Sequence, residues 1–322
     1  MSRRSRRVLV VGQIPDPHIE RVEEGLDARG ADSLVLDCFQ EDHFLDLELK
    51  DGRPGGRVEA AGVVWDLGSV DAVWWRWKPV RACEWSGAFA SVAERFRSDE
   101  WRAGLRSLPR FTPRAEWINP LWDHRIASGK AFQLALAAAV GLGVPDTHFT
   151  NDARRAASLF GDGRRVVYKT LSSFLVPPDE IIFTNEVDES DVRRSGEQIR
   201  QAPGIFQRLV EKRHELRVTI VDQQVFAVRI DSQMSPITAG DWRRDQFQKM
   251  YGEAELAPVL RERLLEFQRR AGIRFGAYDL IVEPSGAPVF LECNPAGQWL
   301  WLELELGLPI SAAVADALAG SR

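Results

Sequence analysis

The sequence predicts a mixed α/β protein of the α+β kind, in which an α/β part precedes an antiparallel β-sheet. The first part has a strand over residues 7–12, a helix over 17–29 and a second strand over 33–37, and this alternation is typical of an α/β unit. From Gly204 onward, short alternating apolar runs are separated by turn residues, which indicates antiparallel strands. The stretch from Gly276 to Glu303 closes the second part and carries most of the candidate chemistry.

Composition excludes several classes of protein. The chain has 322 residues and a net charge of −5, so it can form roughly two or three packed units and has no electrostatic case for nucleic acid as its main partner. The apolar run Val8 to Val11 after the basic start is too short for a signal peptide or a membrane span. The three cysteines form no CxxC pair, which suits a reducing compartment. We therefore expect a cytoplasmic protein that contacts no membrane.

Further elements follow from periodicity and from turn and cap residues. Asn119-Pro120 breaks the chain at a predicted domain boundary, and Asp123 is the predicted N-cap of a long helix. The predicted bounds are a hairpin of residues 44–49 and 57–65 around a turn at 51–56, a strand over 72–77, helices over 84–108 and 123–140, strands over 166–170 and 181–184, a helix over 188–200, strands over 206–210, 216–221 and 225–230, and a helix over 257–270.

The strand over 72–77 is rich in tryptophan and alternates in face. Two interpretations are open: one buried face with snorkelling side chains at the edges, or a platform that contacts an acidic peptide through aromatic and arginine side chains. The alternation places Trp74, Arg76 and Lys78 on one face and Val73, Trp75 and Trp77 on the other.

Cationic residues inside apolar strands are candidates for binding an anion. Lys169 lies between Tyr168 and Thr170 in a predicted strand, where a lysine needs an anionic partner or an exit to water. Arg217 and Arg229 lie on two strands joined near Asp222. A three-residue loop would place these arginines opposite each other with an anion between them, whereas a two-residue loop would break that pairing.

The stretch from Gly276 to Asn294 predicts a hairpin with a turn at residues 284–287. With the turn centred between residues 285 and 286, Asp279 falls directly opposite Glu292, and opposed side chains share a face with Cβ atoms about 4.5–5.5 Å apart. Asn294 lies on that face as well. The predicted core face carries Leu280, Val282, Val289, Leu291 and Cys293, and the other face also carries Ile281 and Phe290.

Two interpretations of this hairpin are open. It is either a solvated acidic face or one wall of a cleft, since a face that mixes apolar residues with two acids and an amide is unusual for open surface. Opposed carboxylates repel unless something compensates them. Mg²⁺ does so well, because it takes carboxylate and amide oxygens and shares its remaining positions with nucleotide phosphates. The hairpin is therefore a candidate magnesium site formed by Asp279, Glu292 and Asn294.

Several motifs, taken in order, resemble the ATP-grasp ligases, and within them the graspetide (microviridin-type) peptide macrocyclases. The resemblance covers roughly residues 70–320. The motifs that carry it are KAFQLALAAAVGLGVPDT at 130–147, VVYKTLS at 166–172, IFQRLVEKRHELRVTIVDQQVFAVRIDSQ at 205–233, DWR at 241–243 and FGAYDLIVEPSGAPVFLECNPAGQWLWLE at 275–303.

The resemblance implies an ATP-grasp fold of three domains and a set of site residues. The implied domains are an N-terminal α/β pre-ATP-grasp domain (1–120), a small central lid domain (121–203) and a C-terminal antiparallel-sheet domain (204–322). The implied cofactors are ATP and Mg²⁺. Implied for the nucleotide are Lys130 and Lys169 at the phosphates, Gln207, Arg208, Leu209 and Val210 at the adenine, and Glu215 at the ribose. Implied for catalysis are Asp279, Glu292 and Asn294 on magnesium, with Arg217 and Arg229 at the γ-phosphate.

The resemblance implies an enzyme that joins Asp or Glu side chains of a ribosomally made precursor peptide to Thr, Ser or Lys side chains within it. A ligase that adds an amino acid to a peptide or protein terminus is the alternative, and a nucleotide-binding regulator without turnover is a third. The implied partners are a precursor peptide with a leader and an acidic core, and a second copy of the chain as a homodimer. Candidates for contacting the acidic core are Arg76, Lys78, Asp241 and Arg243.

Overall fold

The structure is a computed structural model that describes residues 4–76, 91–171, 175–176, 180–181, 184–234 and 250–320. None of the helices in these ranges is long and apolar enough to cross a bilayer. The helices described are α1 Pro17–Asp27, α2 Val92–Phe111, α3 Leu121–Ala127, α4 Lys130–Ala139, α5 Ala153–Ala157, α6 Glu189–Arg194, α7 Gly196–Gln201, α8 Pro258–Arg270, α9 Leu300–Leu306 and α10 Ile310–Ala319. The strands described are β1 Arg7–Val11, β2 Asp32–Leu36, β3 Phe44–Lys50, β4 Arg53–Ala60, β5 Val63–Asp66, β6 Ala72–Trp75, β7 Glu116–Ile118, β8 Thr147–Thr150, β9 Val166–Lys169, β10 Leu175–Val176, β11 Glu180–Ile181, β12 Asn185–Val187, β13 Gly204–Arg208, β14 His214–Val221, β15 Gln224–Ile230, β16 Tyr251–Glu253, β17 Phe275–Val282 and β18 Pro288–Asn294.

The N-terminal residues form a parallel sheet in the order β2-β1-β6-β7. One face packs with α1 and the C-terminal helix α10 in a common core that contains Trp74, and the other face packs in a second core that contains Trp75. The interpretation in which β6 has one buried face is therefore wrong. A parallel sheet is covered on both faces, so alternating residues of β6 are all buried.

One predicted turn, at 51–56, and one predicted helix, over 123–140, differ from the structure. In both cases a glycine ends or begins an element at a position that was not predicted. In the β3–β4–β5 sheet the first turn is Asp51-Gly52, both with positive φ (51° and 72°), which suits a two-residue hairpin loop, and not the six-residue turn at 51–56. The predicted helix over 123–140 is two helices, α3 and α4, separated at Ser128-Gly129, with Gly129 as the N-cap of α4. Asp123 lies inside α3.

A second sheet has the order β12-β9-β13-β8 and is antiparallel. One face packs against α5 and α6 in a small core that includes Val166, Val192 and Phe206. Lys169 and Gln207 lie on the opposite face, because they alternate with those core residues along β9 and β13. Since β13 belongs to this sheet, residues 204–208 group with the predicted lid. The division into three domains stays a prediction.

The C-terminal sheet has the order β16-β15-β14-β17-β18. Its buried face forms a core with α3, α4 and α8, in which Tyr278, Phe267 and Phe290 are fully buried. The opposite face carries the polar residues discussed below. The short edge strand β16 was not predicted, and it follows a segment that lies outside the described residues.

Of the two loop lengths left open by the sequence, the structure has the one that does not pair Arg217 with Arg229. The β14–β15 loop is the two-residue turn Asp222-Gln223, with Asp222 at φ 51°. Arg217 therefore pairs with Val228, and Arg229 pairs with Leu216. Adjacent positions point to opposite faces, so the two arginines lie on opposite sides of the sheet.

The β17–β18 hairpin confirms the pairing of Asp279 with Glu292 but differs nearer the turn. The loop is Pro284-Ser285-Gly286, closed by a hydrogen bond from the Glu283 N–H to the Ala287 carbonyl. A β-bulge between Asp279 and Leu280 then restores the predicted register. Between the turn and the bulge the register is shifted by one residue, so Phe290 pairs with Leu280 in the core and not on the polar face.

Gln133 is expected to stabilise the packing of α4 against β18. It is 3% exposed, its Oε1 accepts from the Cys293 N–H at 3.0 Å, and its Nε2 donates to the carbonyls of Cys293 and Ala127, both at 2.6 Å. Gln133→Leu leaves three buried backbone groups without this partner, so we expect urea denaturation to show a loss of about 1–3 kcal/mol of unfolding free energy. Gln201→Leu, at an exposed position, is the control, and equal stability of the two variants would contradict the assignment.

Candidate active site

Three charged side chains form one row across neighbouring strands of the C-terminal sheet. Arg217 on β14 pairs with Asp279 on β17, which pairs in turn with Glu292 on β18. The Arg217 Nη1 donates to Asp279 Oδ1 at 2.8 Å. This ion pair offsets one of the two opposed carboxylates, and neither oxygen of Glu292 has a hydrogen-bond partner among the residues that the structure describes. The row therefore has one negative charge that the described protein groups do not neutralise.

Asn294 extends this polar face by one row. It pairs with Ala277, the next residue along β17 that shares a face with Asp279. The Asn294 Oδ1 accepts from the Ala296 N–H at 2.9 Å, which orients the amide oxygen. The chain then makes a close turn in which Gly297 has no room for a side chain. A Cβ there would overlap the Cβ of Ala277 and lie 3.0 Å from Arg217 Nη2.

This donor set fits a magnesium ion. Two carboxylates and one amide oxygen are hard ligands of the kind that Mg²⁺ takes, and they leave positions for phosphate and water. No group of three or more His, Cys, Asp or Glu side chains is arranged to hold a metal within the described ranges. The present group has only two carboxylates, Asp279 and Glu292, and its third donor is the amide oxygen of Asn294. The fit to magnesium therefore rests on the preference of this ion for such oxygen ligands.

Arg217 also has an unused donor beside this row. Its side chain is 9% exposed, its Nη2 donates to the carbonyl of Gln298 at 3.1 Å, and its Nε is buried without a hydrogen-bond partner in the part of the chain that the structure describes. A buried unpaired N–H costs free energy. An anion that accepted from this Nε would remove that cost.

Two lysines converge at the end of β9. Lys130 is the first residue of α4, and its Nζ donates to the carbonyl of Thr170 at 2.7 Å. The neighbouring Lys169 donates through Nζ to Gln207 Oε1 at 2.8 Å. Gln207 is 3% exposed, and its Nε2 donates to Thr147 Oγ1 at 2.9 Å. Two cationic groups at one strand end provide the charge that phosphate oxygens require.

Backbone groups at the end of β13 are partly used within the protein. The N–H groups of Arg208 and Leu209 donate to the carbonyls of Asp146 and Arg165. The Arg208 side chain is exposed, whereas Leu209 and Val210 are half-buried. The Val210 N–H has no backbone acceptor among the described residues, so it is the amide in this group that an adenine ring could use.

Glu215 is a buried carboxylate close to the same strand end. Its Oε1 accepts from Lys212 Nζ at 2.9 Å and from Ser232 Oγ at 2.8 Å. Burial raises the pKa of Glu215, while the charge and hydrogen bond of Lys212 oppose that rise. Both donors use one oxygen, which leaves the other as an acceptor for hydroxyl groups.

The other predicted site residues do not join this group. Arg229 is exposed and pairs with Asp231 on the face opposite Arg217. Arg76 is 2% exposed and forms an ion pair with Asp16. Because its guanidinium is buried and bound within the protein, it is not available to contact a peptide. Lys78, Asp241 and Arg243 lie outside the described residues.

Several residues that shape the site were not predicted. Lys212 and Ser232 bind Glu215, Gln133 binds the backbone of Cys293 beside Asn294, and Asn119 donates to the carbonyls of Phe275 and Pro295 at the two ends of the hairpin. Of these residues, only Lys212 could have been inferred from the sequence, because it lies three residues before Glu215 and carries the opposite charge. The others act across long separations, which spacing cannot detect.

Gly297→Ala tests whether the turn after β18 controls the site. The added Cβ displaces Ala277 or Arg217 Nη2, which shifts the side chains beside Asn294. Because disturbed outer partners of a metal site typically cost about 10–100-fold in metal affinity or activity, we expect ADP in the presence of Mg²⁺ to bind at least about tenfold more weakly by calorimetry. Gly252→Ala lies in the same sheet with nothing near its Cβ and is the control. Equal affinity in both variants would contradict this view.

Comparison with solved structures finds enzymes that are similar to the chain over nearly its whole length. The chain is similar to a Chryseobacterium gregarium RiPP-associated ATP-grasp ligase, solved in complex with ADP and a leader and core peptide, at TM-score 0.85 and 26% identity over 98% of this chain and 97% of that one. RiPP denotes a ribosomally made, post-translationally modified peptide. No protein-family model matches the sequence, and no curated protein matches it either.

Two macrocyclases of Microcystis aeruginosa MRC are also similar. MdnC, solved with the precursor peptide MdnA, has TM-score 0.83 and 29% identity, covering 98% of this chain and 100% of that one. MdnB has TM-score 0.77 and 28% identity, covering 97% and 99%. Each similarity covers nearly the whole of both chains. In fold, and over nearly its whole length, the chain is therefore similar to ATP-grasp ligases that act on ribosomally made peptides, the macrocyclases MdnC and MdnB among them.

Proposed function

We propose that this enzyme uses ATP to activate Asp or Glu side chains of a ribosomally made precursor peptide and joins them to hydroxyl or amine side chains within that peptide. The observation that carries the proposal is the row Arg217–Asp279–Glu292 with Asn294 beside it. It combines a metal-binding donor set with a buried arginine that has an unused N–H. Phosphoryl transfer requires these two features, since its transition state needs charge neutralisation and positioning more than covalent help.

The nucleotide is held by residues from the start of α4, from the second sheet and its end at residues 209–210, and from the C-terminal sheet. Lys130 and Lys169 bind the phosphates, the backbone from Gln207 to Val210 reads the adenine through Val210 N–H, and Glu215 accepts from the ribose hydroxyls. Asp279, Glu292 and Asn294 hold Mg²⁺, which when bound neutralises charge on the phosphate oxygens. Arg217 donates from its unused Nε to the transferring phosphoryl group. Arg229 has no part in this scheme, because it lies on the other face.

The reaction has two steps. A peptide carboxylate attacks the γ-phosphorus of ATP and the bond to ADP breaks, which gives an acyl phosphate and ADP. A hydroxyl or amine of the same peptide then attacks the acyl carbon and loses its proton, and the bond to phosphate breaks. The products are an ester or an amide and inorganic phosphate. Each crosslink therefore removes one water from the mass of the peptide.

The substrate assignment rests on the neighbours. The Chryseobacterium ligase was solved with leader and core peptides and MdnC with a precursor peptide, so we propose a precursor with a leader and an acidic core for this chain. Lys78, Asp241 and Arg243 are the proposed contacts of the core, and Arg76 acts instead within the protein. ATP and free thiols point to the cytoplasm as the place of reaction. A homodimer stays a prediction.

Mass and nucleotide analysis of one reaction tests the chemistry. We expect incubation with ATP, Mg²⁺ and an acidic precursor that contains Thr, Ser or Lys to give peptide lighter by one water per crosslink, with one ADP formed for each. A mass gain equal to an added amino acid would identify the terminal ligase instead. AMP in place of ADP would contradict the acyl-phosphate route, and the same mixture without Mg²⁺ is the control.

Glu292→Ala tests the metal donor set separately. Removing this carboxylate leaves Asp279 and Asn294 as the remaining donors, so we expect crosslinking to fall below detection while urea denaturation still shows a cooperative unfolding transition. The reason is that Glu292 makes no hydrogen bond to a described residue that folding could lose. Glu305→Gln on the exposed side of α9 is the control. Wild-type turnover by the Glu292 variant would remove this residue from the metal assignment.

A further inference from the structure

The turn between β18 and α9 has its successive carbonyl groups occupied by side chains from distant parts of the chain. Four successive carbonyls, from Pro295 to Gln298, each accept a side-chain N–H. The donors are Asn119 Nδ2 to Pro295 at 2.9 Å, Arg76 Nη1 to Ala296 and Gly297 at 3.2 and 3.3 Å, and Arg217 Nη2 to Gln298 at 3.1 Å. The pairing of these four carbonyls fixes a turn that has no repeating secondary structure of its own.

A histidine holds the other end of this turn. The N–H groups of Trp299 and Leu300 both point to His18 Nε2, each at 3.2 Å. Because Nε2 accepts from these two donors, the proton of the neutral ring is on Nδ1. That Nδ1–H donates to Asp16 Oδ1 at 3.0 Å. Asp16 thereby sets both the tautomer and the orientation of the ring.

Asp16 joins this histidine to the buried arginine. Its Oδ2 accepts from Arg76 Nε at 2.9 Å, and its Oδ1 also caps α1 by accepting from the His18 N–H at 2.9 Å. Burial raises the pKa of Asp16, but the hydrogen bonds from His18 and the charge of Arg76 outweigh burial and hold it below its usual range. The carboxylate is therefore ionised, and it is held by two groups that both bind the turn.

The same turn contacts the proposed active site on its other side. The Ala296 N–H donates to Asn294 Oδ1, and the Gln298 carbonyl accepts from Arg217, whose Nη1 binds Asp279. A displacement of the turn therefore moves a proposed metal ligand and the proposed phosphoryl-binding arginine together.

We propose that Asp16, His18 and Arg76 are positioning residues that fix the turn 295–300 and, through it, Asn294 and Arg217 for nucleotide binding and phosphoryl transfer. This inference deepens the proposed function and rests on it. Asp16 and His18 lie at the start of α1, the helix that follows β1, and Arg76 directly follows β6, so all three come after the carboxyl ends of neighbouring parallel strands, where open α/β sheets typically direct functional groups. They connect the N-terminal sheet to the chemistry without touching the reacting atoms.

Arg76→Lys is the first test. Lysine keeps the charge beside Asp16, but one ammonium cannot reproduce the fork that binds a carboxylate and two carbonyls. We expect kcat to fall about 10–100-fold, as for other outer partners of a metal site, with an unchanged KM for the precursor. Arg29→Lys is the matched control. Arg29 likewise binds one carboxylate and two carbonyls, those of Asp316, Gly25 and Ala312, but it does not contact the turn.

Two substitutions of His18 provide the second test, which does not depend on turnover. His18→Gln can place Oε1 near the position of Nε2 and still accept from the turn, whereas His18→Leu cannot. We expect hydrogen exchange of the Ala296, Trp299 and Leu300 amides to accelerate at least about tenfold in His18→Leu and in Arg76→Lys. The exchange should stay near wild type in His18→Gln and Arg29→Lys. Affinity for ADP with Mg²⁺ should fall in His18→Leu and Arg76→Lys only.

The outcomes separate the two proposals. If the wild type forms no crosslink, the proposed function fails, and hydrogen exchange with ADP binding still decides the role of the turn. If Arg76→Lys does not fold, the His18 pair decides it. Unchanged exchange in His18→Leu, or faster exchange with wild-type ADP affinity, would overturn the inference. Equal loss of kcat in Arg76→Lys and Arg29→Lys would do so as well, since it would indicate general destabilisation.

Discussion

The architecture of the site depends on two carboxylates held directly opposite each other. Asp279 and Glu292 occupy one cross-strand position, and like charges in that arrangement repel. Arg217 joins the same row and offsets one of them. A shift of one residue in either strand would move these charges to the face that holds Tyr278 and Phe290. The position of this row on the face opposite Tyr278 and Phe290 therefore depends on the register of β14, β17 and β18, including the bulge.

The sequence was sufficient to predict the pairing of Asp279 with Glu292, but neither the pairing of Asp279 with Arg217 nor the hairpin around it. Alternation and turn residues placed Asp279 opposite Glu292, and that pairing is confirmed. Nearer the turn the prediction was wrong by one residue, because a three-residue loop and a bulge offset each other only beyond Leu280. Phe290 was consequently assigned to the wrong face. A bulge leaves no mark in an alternation pattern, so strand pairing on one side of it cannot be extrapolated to the other.

Predictions failed most where burial depends on distant parts of the chain. Trp74 and Trp75 alternate as in a strand with one buried face, yet both are buried, since helices from opposite ends of the chain and a separate sheet cover the two sides. Arg76 looked like an exposed cation for the same reason. Local periodicity reports which residues share a face. It does not report how many faces are covered or which carboxylate, here Asp16, lies sixty residues away.

Two buried arginines bind the same short turn from opposite sides, and stability does not explain that arrangement. Arg76 pairs with Asp16 and Arg217 with Asp279, and each also donates to carbonyls of residues 296–298. Desolvation of a buried ion pair often cancels its attraction, so apolar residues of similar volume would hold the fold as well. What apolar residues cannot do is fix carbonyl groups in direction. The arginines therefore serve geometry, and the geometry that they fix is that of the turn beside Asn294 and Asp279, which we propose as the place where the charge of a transferring phosphoryl group is met without reorganisation.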